Sequence, residues 1–114
     1  MGLPDSVLSE HEEQRLFVQW FRRTYPKRRI FAIPNGGGRS ISQASKLKAE
    51  GVSSGVPDLL IPDGMIWVEM KRSRGGSVSA DQKDWHSYLE AIGHTVIIGR
   101  GFEDARAKIT ACIA

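Results

Sequence analysis

Asp63-Gly64 lies between two β-prone runs, Val56–Ile61 and Met65–Lys71, and Asp-Gly between such runs is the strongest short hairpin signal. With Asp63 and Gly64 as the loop, Pro62 faces Met65, Leu60 faces Trp67 and Asp58 faces Glu69. Side chains alternate along a strand, so Lys71 shares the face of Glu69. The opposite face carries Leu59, Ile61, Ile66, Val68 and Met70 and reads as core. Two carboxylates therefore stand directly opposite each other, with Cβ atoms about 5 Å apart. Like charges so placed are destabilising, and partial burial makes the repulsion worse. Lys71 supplies one compensating charge, and a divalent metal would supply two. Mg²⁺ is commonly held by one or two carboxylates while keeping several waters. The same residues also read as a solvated Asp58–Glu69–Lys71 ladder at a sheet edge, although a neutral or apolar pair would serve stability better there.

Punctuation elsewhere gives the remaining elements. Ser9 followed by Glu12 has capping-box spacing, and Leu16, Phe17, Trp20 and Phe21 recur at helical intervals, predicting a helix over Glu10–Thr24 that stops before Pro26. Arg29–Ile33 is β-prone and ends at Pro34-Asn35, followed by a glycine loop at Gly36, Gly37 and Gly38. Ser40–Glu50 reads as a second helix with Gly51 at its C-cap. Ser73–Ser77 is a basic, glycine-containing loop. Ser79 caps a third helix to about Ile92, with Gln82 at N3 and Gly93 at its end. Thr95–Ile98 is a strand and Phe102–Ile113 a last helix. The order α-β-α-β-β-α-β-α implies one compact α/β domain spanning 1–114, a small mixed sheet flanked by helices.

A chain of 114 residues, 40% hydrophobic and 25% charged, can build one core and is not disordered by composition. The single cysteine, Cys112, excludes an internal disulfide and a cysteine-built zinc site, and reads as a small core residue. No apolar run approaches the ~18 residues of a membrane span. MGLPDSVLSEHEEQ has no basic n-region or apolar h-region, so a reducing, cytoplasmic setting is expected.

The net charge of +3 is unevenly distributed. Residues 1–14 hold four acids and no Lys or Arg. Residues 15–48 hold nine bases (Arg15, Arg22, Arg23, Lys27, Arg28, Arg29, Arg39, Lys46, Lys48) and no acid. Such a stretch creates a field that concentrates a polyanion, unless it is simply a solvated basic face.

Pro57-Asp58, eleven residues, then Glu69-Met70-Lys71 resembles the PD-(D/E)xK nuclease signature. The wider context resembles the VRR-NUC (virus-type replication-repair nuclease) branch of that superfamily. It consists of Ile33-Pro34-Asn35-Gly36-Gly37, Lys46-Leu47-Lys48, Gly51-Val52, Gly55-Val56-Pro57-Asp58-Leu59 and Ser79-x-x-Gln82-x-x-Trp85-x-x-x-Leu89-x-x-x-Gly93. Glu10-His11-x-x-Gln14 leading to Trp20 fits as well, so the resemblance covers about residues 9–100.

The resemblance implies a restriction-endonuclease-like domain that holds Mg²⁺ or Mn²⁺ on Asp58, Glu69 and the backbone carbonyl of Met70. Lys71 would orient and polarise the attacking water. Glu10 matches a first-helix carboxylate that commonly completes such a site, with Glu13 one turn later as the alternative. Both acids also suit a helix start on electrostatic grounds. Gln82 resembles the motif Gln after the ExK strand, and equally serves as capping partner of Ser79. Asn35, Gly36, Gly37 and Arg39 form a loop able to approach a phosphate backbone. Lys46, Lys48, Arg72 and Arg74 are candidate phosphate contacts or solvated surface charges. His11, His86 and His94 lack metal-cluster spacing. Trp20, Trp67 and Trp85 read as core or interface, Trp67 excepted because it shares the face of Glu69. The implied activity is metal-dependent DNA endonuclease, like Holliday-junction resolvases or flap cutters, acting as a homodimer on branched DNA inside a bacterial or phage-infected cell. The alternatives are a non-catalytic nucleic-acid-binding module, and a nuclease acting on RNA or only within a larger assembly.

Overall fold

Three serines start three of the four helices. In a computed structural model describing residues 7–34 and 40–114, Ser9, Ser40 and Ser79 each accept a hydrogen bond from the N3 backbone N–H. The N3 side chains Glu12, Gln43 and Gln82 reach back to the cap N–H, closing three capping boxes. The helices are α1 (Glu10–Thr24), α2 (Ile41–Ala49), α3 (Ala80–Ala91) and α4 (Phe102–Ile113), and the strands are β1 (Phe31–Ala32), β2 (Leu59–Ile61), β3 (Ile66–Lys71) and β4 (Thr95–Arg100). None of the described helices is long and apolar enough to cross a membrane.

The strands form one mixed sheet in the order β1-β2-β3-β4. β1, β2 and β3 pair antiparallel, and β3 pairs parallel with β4 after the crossover through α3. One face packs against α1 and α4, where Phe17, Phe21, Ala105 and Ile109 meet Leu59, Ile61, Val68, Met70 and Ile97. α3 covers the β4 side of the other face. The apolar set assigned to the core from strand alternation is buried.

The hairpin keeps the predicted register, with Leu60 opposite Trp67 and Leu59 opposite Val68, but reaches it through a different turn. Positive φ falls on Gly64 (+83°) and Met65 (+50°), so Met65 belongs to the turn and β3 begins at Ile66. β2 is shorter than Val56–Ile61 because Pro57 has no N–H and Asp58 lies in a bend. β1 shrinks from Arg29–Ile33 to two residues, and Ile33 N–H continues the contact by donating to the Asp58 carbonyl at 2.8 Å. β4 runs two residues past Ile98. Gly99 allows this, since a Cβ there would lie 2.6 Å from Ala105 Cβ. α2 ends on Glu50, with Gly51 (φ +107°) one place beyond the cap. Cys112 is exposed, not core. The buried stripe of α4 runs through Ala105 and Ile109, and at about 3.6 residues per turn Cys112 falls on its margin.

Candidate active site

Glu69 and Lys71 are the charged residues of β3, and both are buried, at 1% and 6% exposure. Burying a charge is costly unless it is paired and hydrogen-bonded, and the neighbours of these two supply the partners. Lys71 Nζ donates to Gln82 Oε1 at 2.9 Å. Gln82 Nε2 donates to Glu69 Oε2 at 3.1 Å. The same Gln82 Oε1 accepts from Ser79 N–H at 2.9 Å. One side chain therefore closes the helix cap and bridges the acid to the lysine.

Asp58 meets this pair from the bend just before β2. Its Oδ2 accepts from the Met70 backbone N–H at 2.7 Å, so the carboxylate takes a strand-like place beside β3 where regular pairing has stopped. Asp58 is also hydrogen-bonded to the Glu69 carboxyl. Burial, then the charge of Asp58 and that hydrogen bond, push Glu69 up to about 9, against which Lys71 pulls down. Near neutral pH Glu69 is thus protonated.

His86, one turn beyond Gln82 on α3, was not singled out by spacing, yet its Nε2 lies 3.2 Å from Glu69 Oε1. It is 8% exposed, and burial holds its pKa below the ordinary value. With Glu69 raised and His86 lowered, the contact is a hydrogen bond between neutral groups and not an ion pair. The available signal was the interval from Gln82 to His86, four residues on a helix.

Of the two first-helix acids, Glu10 lines a groove of about 560 Å³ with Asp58, Gln82, Ser79 and Lys48, and its charge is felt at Glu69. Glu13 is turned away. It is 6% exposed and its Oε1 accepts from Phe102 N–H at 2.9 Å. α4 begins at Gly101, which has no capping side chain, so Glu13 satisfies that helix end from α1. The alternative of Glu13 at the metal gives way to this capping role.

α2 forms the far wall of the groove through Ala44, Leu47 and Lys48. Lys46, Arg72 and Arg74 are exposed, and Lys46, Arg72 and Arg74 do not line the groove. Asn35, Gly36, Gly37 and Arg39 lie outside the described residues. Gly55, also in the groove wall, has φ +94°, and a Cβ on it would come within 2.5 Å of the Asp81 backbone. That close approach seats the Pro57-Asp58 segment against the start of α3.

Among the described residues, no three His, Cys, Asp or Glu side chains gather closely enough to hold a metal ion by themselves. What the site offers is the carboxyl groups of Asp58 and Glu69 as hard oxygen donors. A hard divalent cation that completes its shell with backbone, water and substrate oxygens fits that donor set.

The chain is similar to a solved structure of a VRR_NUC domain protein, at 24% identity over 91% of this chain and 87% of that chain, with a TM-score of 0.75. The fold is VRR-NUC-like. No family model matches the sequence, and no curated protein matches it.

Proposed function

We propose that the protein is a metal-dependent nuclease that hydrolyses phosphodiester bonds in DNA. The observation that carries this reading is the Asp58–Glu69 carboxyl pair with Lys71 held beside it through Gln82, where Asp58 and Gln82 line a groove. Asp58, Glu69 and the Met70 carbonyl are the proposed ligands of Mg²⁺ or Mn²⁺, and Glu10 faces the same groove. A bound divalent ion would lower the pKa of a water and offset charge developing on the scissile phosphate. Glu69, protonated without a cation, would release its proton when one is bound. Gln82 and His86 hold the two oxygens of Glu69 in one orientation. The Lys71 ammonium, fixed by Gln82, orients the attacking water and favours negative charge on it. Lys48 on the groove wall is placed to meet a phosphate.

We assign the substrate as branched DNA, a four-way junction or a flap, cut by a homodimer with one site per subunit. The support is the resemblance of Pro57-Asp58 with Glu69-Met70-Lys71 to branch-cutting nucleases, and twofold symmetry would present two sites to a branch. The test is a panel of labelled duplex, flap and four-way junction with Mg²⁺, Mn²⁺ or EDTA. Metal-dependent cutting is expected, strongest on a branched substrate. Asp58→Asn, which keeps an acceptor for Met70 N–H, should reduce it at least about 10²-fold without abolishing DNA binding. Cleavage of no substrate under any metal condition would overturn the proposal.

A further inference from the structure

The sheet register places Phe31, Leu60, Trp67 and Val96 in one row across all four strands. The row lies on the face that carries Glu69 and Lys71. α3 covers its β4 end, and at the β1 end Phe31 is 45% exposed. Leu60 and Trp67 are half-buried. Trp67 is held in orientation, since its Nε1 donates to His94 Nδ1 at 3.0 Å and the two rings lie within 13° of parallel. The proposed function uses none of these side chains.

We infer that the Phe31–Leu60–Trp67 row is a stacking platform for an unpaired nucleobase of the strand being cut, next to the scissile phosphate. The inference rests on the nuclease reading and names the feature of the substrate that the site selects. Two observations identify the occupant. Trp67 and Glu69 are alternate residues of β3, about 7 Å apart on one face, so a base on the indole row and a phosphate at Glu69 belong to neighbouring positions of one strand. Charge supplies the second. The exposed Lys27 and Arg29 lie four and two residues before Phe31, and Lys71 lies on the same face as Trp67, so cations flank the apolar row along the chain. Flat apolar rings bordered by positive charge complement a nucleotide, whose base is a flat ring and whose backbone is anionic. In a fully paired duplex the bases are stacked on each other and unavailable to such a row. A flap or a branch point frees them.

The experiment measures binding in EDTA, where nothing is cut, by fluorescence anisotropy. The probes are a duplex with a single-stranded thymine flap and a fully paired duplex of equal length. Phe31→Ala removes an exposed ring and leaves the core intact. It should weaken flap binding about tenfold while paired duplex changes less than about twofold, and Phe31→Tyr should retain wild-type binding. A 2-aminopurine placed at the branch should be quenched by the wild-type protein and less so by Phe31→Ala. Equal losses on both DNAs, or unchanged flap binding and quenching, would overturn the platform while leaving the nuclease reading in place. A wild-type dimer that becomes monomeric with Phe31→Ala would assign the row to the subunit contact instead. Wild-type protein that binds neither DNA would remove both readings.

Discussion

At the scale of single residues the site is a problem in proton placement. The Glu69 carboxyl has an ordinary value of 4.5 and is raised to about 9 in the fold. Between those values the folded, metal-free chain holds a proton that the unfolded chain has released. Its contribution to stability is therefore complete below about pH 4.5 and is lost progressively as pH rises toward 9. His86 acts in the other direction, because burial lowers its pKa from 6.5 and protons favour the unfolded chain as pH falls below that value. Glu69→Gln mimics the protonated acid, so thermal melts in EDTA should show a higher midpoint than wild type at pH 8 and a flatter pH dependence above pH 6.5. A variant that melts lower at pH 8 would contradict this assignment of the proton. His86→Ala removes the ring nitrogen 3.2 Å from Glu69 Oε1 and leaves Gln82 on Oε2. Metal affinity or cleavage rate, measured by titration or initial velocity, should fall about 10–100-fold, with the fold intact by circular dichroism.

At the scale of elements, α1 and α4 are joined by a side chain acting as another helix's cap. Glu13→Ala should destabilise the protein by about 1–2 kcal/mol in urea melts. Glu13→Gln keeps an acceptor for Phe102 N–H and should recover most of that loss. Equal destabilisation by both would show that the hydrogen bond is not the source. Glu13 also shows what local pattern leaves out. Its position in the first turn of α1 suits a metal ligand as well as a cap, and only the packing of α4 against α1 decides between them. The spans of α1 and α4, and the Leu60–Trp67 register, were legible because capping serines, helical periodicity and Asp-Gly are local signals. The turn residue Met65, the short β2 and the extension of β4 past Gly99 were not: Met65 takes a positive φ that few non-glycine residues adopt, β2 stops where Pro57 lacks an N–H and Asp58 turns to Met70, and β4 continues because Gly99 lets Ala105 pack closely. Likewise Asp58, Glu69 and Lys71 could be placed together from alternation alone, whereas His86 reaches Glu69 only through the docking of α3 on the sheet.

At the scale of the molecule, the fold brings the Asp58 and Glu69 carboxyls and two holders from α3 together beside a groove that Asp58 and Gln82 line, with the basic helix α2 as its far wall. The account depends on that carboxyl pair being a cation site that a proton occupies when the metal is absent. The most direct measurement is calorimetric titration of the purified protein with Mn²⁺ near pH 7.5, in two buffers of different ionisation enthalpy. The account predicts binding accompanied by release of about one proton per ion bound, with both lost in Glu69→Gln. Absence of binding, or binding that releases no proton and survives Glu69→Gln, would contradict it.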